Sequence, residues 1–170
     1  MEIGLTDGLR KFAKMKPLPA AAETGPFFCW DANRVDVGGR KLLIVSNASN
    51  RLCAVSRMKG SDWAKIEAIA PQLIADAMMT GGASYEDYLA YMGAAGGISL
   101  SKTHGKKPLG CLSEIGNFLL PGEIDMGETI QLRLMERLNS EWICHCPTRR
   151  DYGRPCEWLA EDLAERGLRR

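Results

Sequence analysis

The feature that most constrains this chain is a glycine pair, Gly38-Gly39, set between Val37 and Arg40. A two-residue hairpin turn needs positive φ at both central positions, and glycine adopts it without a Cβ clash. That turn fixes a register: Val37 faces Arg40, Val35 faces Leu42 and Asn33 faces Ile44. The run Leu42-Leu43-Ile44-Val45 is apolar on both faces, which suits a strand covered on both sides. A polar loop, Ser46 to Asn50, then leads to Arg51–Arg57. The spacing predicts a three-stranded antiparallel meander, with Leu42–Val45 between Trp30–Val37 and Arg51–Arg57.

Around the meander the pattern is helical. Leu5 to Lys16 carries Leu5, Leu9, Phe12 and Met15 at helical spacing, and Pro17 and Pro19 end it. Residues 1–26 therefore read as an N-terminal helix and prolyl linker, and 27–170 as a single domain. Ser61 caps a helix holding Trp63, Ile66, Leu73 and Met78, with a kink or restart expected at Pro71. Ser84-x-x-Asp87 is a variant capping box for the next helix. Ile98–Thr103 alternates apolar and polar, as a fourth strand would. Pro108 suits the first turn of a helix with Leu112 and Ile115, and Asp125-x-x-Glu128 opens another through Ile130, Leu134 and Leu138. Glu141–Asp151 is irregular, and Pro155 begins a last helix that Gly167 stops. The fold class is α+β: a three- to four-stranded antiparallel sheet packed with about five to six helices.

Several of these segments resemble an uncharacterised microbial domain-of-unknown-function family. Its aromatic-x-Ala-Asn strand reads Trp30-Asp31-Ala32-Asn33 here, and its apolar strand ending near Asn reads Leu42 to Asn47. Its loop before Leu-Gly reads Ser101-Lys102-Thr103, ahead of Leu109-Gly110, and its terminal Asn-to-Pro region runs from Leu138-Asn139 to Arg154-Pro155. The likeness spans Phe27 to Leu163. The chain departs from the family in its longer prolyl linker, and in Ser113 where members often carry Asn. The resemblance implies an α+β architecture and brings no catalytic residues with it.

Composition narrows the function classes. With 22 basic and 21 acidic residues the net charge is +1, so the chain lacks the overall excess typical of nucleic-acid binders, although a local patch remains open. The opening residues have no long apolar core followed by a small-residue cleavage site, and no run approaches a membrane span, so a cytoplasmic location without a membrane partner is expected. In that setting free buried thiols are the default for six cysteines.

Five groups of residues are candidates for chemistry. Cys144, His145, Cys146 and Cys156 are zinc-type ligands, but strong zinc signatures pair cysteines as C-x2-C. No metal and no cofactor is expected, and the question of metal binding stays open for those four. Lys102, His104, Lys106 and Lys107, with hydroxyls nearby and a helix start behind them, form a candidate anion site without the Gly-Lys-Ser/Thr of a Walker loop. Neither His104 nor His145 sits in a nucleophile signature, so a Cys–His pair is disfavoured and no catalytic residue is assigned. Trp30, Asn33, Arg34 and Asn47 read as core and turn residues rather than a groove. Arg149, Arg150 and Arg154 with Tyr152 and Trp142 are the residue types of binding hot spots, in a segment that reads as a solvated loop; Arg166, Arg169 and Arg170 follow.

The expected function is thus a small non-enzymatic interaction protein for a protein or nucleoprotein partner. A mobile-element accessory protein or an inhibitor of a host defence complex fits that description. The alternative is a nucleic-acid- or nucleotide-directed enzyme whose basic loop holds phosphate.

Overall fold

The computed structural model describes residues 1–169. The meander forms with the register its turn demands: β2 (Cys29–Val37) pairs antiparallel with β3 (Arg40–Asn47), Val37 opposite Arg40 and Val35 opposite Leu42. Gly38 and Gly39 take φ of 56° and 76°. β3 in turn pairs with β4 (Cys53–Arg57), so Leu42–Val45 is covered by a strand on each side.

The sheet is larger than expected and is mixed. Its order is β4-β3-β2-β1-β5, where β1 is Glu2–Leu5 and β5 is Ser99–Lys102. β1 lies parallel to both neighbours, Glu2 opposite Cys29 on one side and Ser99 on the other. The expected Leu5–Lys16 helix is therefore only α1 (Asp7–Phe12), capped by the Thr6 hydroxyl. Glu2 and Gly4 hid the strand, because nothing local marks a four-residue segment containing them as buried. The Ile98–Thr103 segment does become a strand, but a parallel one.

The helices follow their caps. The Ser61 region opens as a short 3-10 turn, and α2 (Ile66–Thr80) runs unbroken through Pro71. The Ser84/Asp87 capping box closes on α3 (Tyr85–Ala95). α4 begins at Lys106 rather than Pro108 and ends at Phe118. Residues 125–131 do not become helical, because the Gln131 side chain ties them into a loop, donating to the Asp125 and Glu128 carbonyls and accepting the Asp125 N–H. Helix α5 (Leu132–Glu136) follows and passes into a wide turn. A two-residue hairpin, β6 (Cys144–His145) with β7 (Tyr152–Gly153), interrupts the region expected to be irregular, and α6 (Pro155–Glu165) closes the fold.

Alternation along β2 sends Trp30 to one face of the sheet and Cys29, Asp31, Asn33 and Val35 to the other. On the first face Trp30 Nε1 donates to the Tyr91 hydroxyl of α3 at 2.8 Å, and that hydroxyl donates to the Phe27 carbonyl at 3.0 Å. On the second lies α4, close enough that a Cβ on Gly116 would sit 3.1 Å from Val35 Cγ1. The two sheet faces thus differ in kind. One is apolar core, and the other becomes ionic toward Cys29 and Asp31.

Candidate functional site

The ionic end of the sheet is organised by His104. Its backbone N–H donates to Asp31 Oδ1 at 3.0 Å, and its ring Nδ1 lies 3.0 Å from Asp31 Oδ2. On the other side of the ring Nε2 lies 3.3 Å from Glu2 Oε2. Glu2 itself accepts the backbone N–H groups of Ala22 and Glu23, which binds the linker to β1. The loop after β5 passes over β1 only because residue 4 is glycine. A Cβ there would overlap Asp31 Oδ1 and come within 2.7 Å of Thr103 Cα.

Burial by itself would lower the basicity of His104. The hydrogen bond to Asp31 and the neighbouring Cys29 side chain outweigh it and lift the imidazole to about 10. Burial pushes the Glu2 carboxyl up, but the Glu23 and Ala22 N–H groups and His104 hold it below its usual value. At neutral pH the group is therefore an imidazolium between carboxylates, fixed by β1, β2 and the β5–α4 loop.

Beside this group opens a cleft of about 480 Å³. Its walls include Cys29, the end of β3 at Ser46–Ala48, and His104, Lys106, Lys107 and Cys111. The Cys29 thiol is held at the wall by donating to the Glu23 and Gly25 carbonyls at 3.5 and 3.3 Å. The α4 end of the cleft is electrostatically unusual. Gly105 provides no side-chain cap, the first turn holds no acid, and its first two residues are lysines. Cations at the positive end of a helix dipole are disfavoured.

Of the anion set read from sequence, His104, Lys106 and Lys107 line the cleft and Lys102 does not. Lys102 is exposed at the sheet edge, its N–H bonded to the Pro19 carbonyl. The missed residues are Glu2, Cys29 and Asp31. Cys29 and Asp31 share a strand face by spacing alone, but their meeting with His104 is a contact between residues more than 70 positions apart.

The arginine set is divided. Arg149 is not in a solvated loop: its guanidinium holds Asp162 at 2.7 Å and Glu161 at 3.2 Å, which pins the chain after β6 to α6. Arg154 pairs with Glu157 across the first turn of α6, and Arg150 is exposed. Arg166 stacks over the Phe27 ring and pairs with Asp162, and Arg170 lies outside the described residues. Tyr152 is 74% exposed and its ring lies against His145, while Trp142 is half-buried against Phe118. Trp142 also packs beneath Arg51, a buried arginine that bonds Glu114 of α4 at 2.9 Å and the His145 carbonyl.

The cysteines near β6 do not gather into a metal site. Among the described residues no group of three or more His, Cys, Asp or Glu is placed to hold a metal ion. Cys144 and Cys146 are buried, His145 is exposed, and Cys156 lies on α6. Burial pushes the Cys53 and Cys144 thiols up to about 12, and raises Cys111 as well. Trp30 and Asn47 are core, with Asn47 closing the β3–β4 loop through its amide, and Arg34 stacks over Phe12. No helix among the described residues is long and apolar enough to cross a membrane.

These features define an α+β protein with a five-stranded mixed sheet and a cleft between one sheet face and an uncapped, lysine-bearing helix. The chain belongs to a family described as a domain of unknown function, DUF6933, whose model matches residues 2–158. That span begins at β1 and reaches into α6. No curated protein and no solved structure matches the chain.

Proposed function

We propose that the protein binds the phosphate or a similar anionic group of a small molecule, such as a nucleotide, in the cleft at the start of α4. One observation carries this reading: an uncapped helix N-terminus bearing Lys106 and Lys107 opens onto a cleft with the His104 imidazolium in its wall. Unpaired N–H groups of a first helical turn and two ammonium groups together favour an anion. Without one, that turn is a local electrostatic conflict, and conflicts of this kind concentrate at functional sites. Thermal unfolding with inorganic phosphate and with a nucleotide tests the reading. A ligand at about a hundred times its dissociation constant stabilises by about 2.7 kcal/mol. The Lys106→Glu/Lys107→Glu variant is expected to lose this shift, yet to be no less stable than wild type in the absence of anion. Equal shifts in both proteins would refute the reading.

A second reading, that of a non-enzymatic partner-binding protein, is favoured by the β6–β7 hairpin. Ile143 is 58% exposed, Phe118 44% and Tyr152 74%, and Arg150, between β6 and β7 in the chain, is exposed as well. Exposed aromatic and arginine side chains of this kind anchor protein or nucleoprotein partners. Affinity capture from native cells with wild-type and Tyr152→Ala/Arg150→Glu proteins tests it. A partner retained equally by both would remove the hairpin from consideration.

A further inference from the structure

We propose that residues 20–25 form a movable wall of the cleft, latched by the Glu2 carboxylate, which swings aside to admit and release the anion. The inference rests on the anion reading of that cleft and adds the control of access to it. Three observations support it. Glu23, Thr24 and Pro26 line the cleft together with the first residues of α4. A second cavity of about 350 Å³ is lined by Glu2, Ala22, Glu23, Thr24 and Ser99. Glu23 and Thr24 border both spaces, so the segment is a partition with room to move. The segment is also held by bonds rather than by packing. No residue from 20 to 25 is buried, and none belongs to a helix or strand. One oxygen of Glu2 accepts the Ala22 N–H at 2.9 Å and the Glu23 N–H at 2.8 Å. The Gly25 N–H is satisfied within the segment, by the Glu23 carboxylate.

Both ends of the segment are fixed. The Pro19 carbonyl accepts the Lys102 N–H of β5 at 2.9 Å, and Phe27, just past Pro26, is fully buried. The chain between them can move only as a strap tied at each end. Hydrogen bonds to a carboxylate are about twice as strong as neutral ones, which makes Glu2 the main tie between the strap and the sheet. The Cys29 thiol, a weak donor, adds its bonds to the Glu23 and Gly25 carbonyls. His104 Nε2 lies 3.3 Å from the same Glu2 oxygen that holds the strap. The latch is thus one side chain away from the anion. Cys29 is 3% exposed and lies beneath strap carbonyls, so local opening of the strap uncovers its sulfur.

The test uses the full chain and iodoacetamide, an uncharged thiol reagent, with the alkylation rate of each cysteine read by peptide mass spectrometry. Cys53 and Cys144 are buried in the fold and serve as reporters of its global opening. Glu2→Gln should speed alkylation of Cys29, relative to Cys53 and Cys144, by about tenfold or more, since the charge behind two hydrogen bonds is lost. Ala22→Pro deletes one latched N–H, leaves β1 as it is, and should act in the same direction. Inorganic phosphate should slow alkylation of Cys29 in the wild type. In Lys106→Glu/Lys107→Glu that protection should vanish, while adding Glu2→Gln to this variant should still speed Cys29. If neither Glu2→Gln nor Ala22→Pro speeds Cys29, the latch is overturned, and protection by phosphate would leave the anion reading standing. A parallel rise at Cys53 and Cys144 overturns the latch also, because the whole fold has then opened. If phosphate protects nothing while Glu2→Gln still speeds Cys29, the anion reading falls and the latch stands.

Discussion

Replacing His104 by Gln tests the ionic centre of the fold directly. The imidazolium is the bridge between Asp31, 3.0 Å from Nδ1, and Glu2, 3.3 Å from Nε2, and its side chain is almost fully buried. Gln can keep one hydrogen bond but removes the positive charge, leaving two carboxylates facing each other. Removing one partner of a buried ion pair costs about 3–5 kcal/mol, so the variant should lose about that much at pH 7. The pH dependence separates charge from packing. In the unfolded chain the imidazole titrates near 6.5, and in the fold near 10. Between those values the folded state holds a proton that the unfolded state lacks, so this contribution is complete below 6.5 and falls as pH rises through 10. The steepest loss from one such proton is about 1.4 kcal/mol per pH unit, or about 2.5 kcal/mol between pH 7 and 9. Urea unfolding of wild type and His104→Gln at half-unit steps from pH 6 to 10 measures it. The gap between the two curves should close as pH rises, while titrations common to both cancel. Parallel curves across that range would show that His104 is neutral in the fold and would refute the argument.

Leu43→Asp places an unpaired charge in a strand residue with no exposed surface and should cost more than ~3 kcal/mol; an unchanged melting temperature would refute its placement in the sheet interior. Gly4→Ala drives a methyl group into Asp31 and the Thr103 backbone and should cost about 1–3 kcal/mol; it should also lower the His104 pKa seen by NMR, and an unmoved histidine signal would count against the packing described. Asn139→Ala removes the side chain whose amide meets both the N–H and the carbonyl of Cys53 at 2.9 Å, so chemical denaturation should register a loss of about 2–4 kcal/mol. Arg149→Glu sets a carboxylate against buried Asp162 and should destabilise by about 3 kcal/mol, whereas exposed Arg150→Glu should change stability by less than about 0.5 kcal/mol. Equal effects of the last two substitutions would mean that Arg149 does not anchor α6.

The meander was legible because its information is local. Gly38-Gly39 admits one turn, that turn admits one register, and the two-sided apolar run then has to lie inside the sheet. The Ser84/Asp87 box and the Gly167 stop were legible for the same reason, since a cap is a contact between neighbours in sequence. β1 was not. Glu2-Ile3-Gly4-Leu5 lacks a periodic pattern of its own, and its parallel partners, β2 and β5, lie far along the chain. The glutamate that argued against burial is satisfied there by Ala22 and Glu23, a pairing that exists only after folding. The candidate site divides in the same way. The sequence by itself determined that a basic loop stands before a helix, and that Asp31 lies in the strand leading to the Gly38-Gly39 turn, whereas Cys29 joins that strand only in the structure. Only the tertiary structure decided that His104 folds back over Gly4 to join them, because a buried charge is tolerated where its counter-charges converge, and convergence is a property of the closed fold.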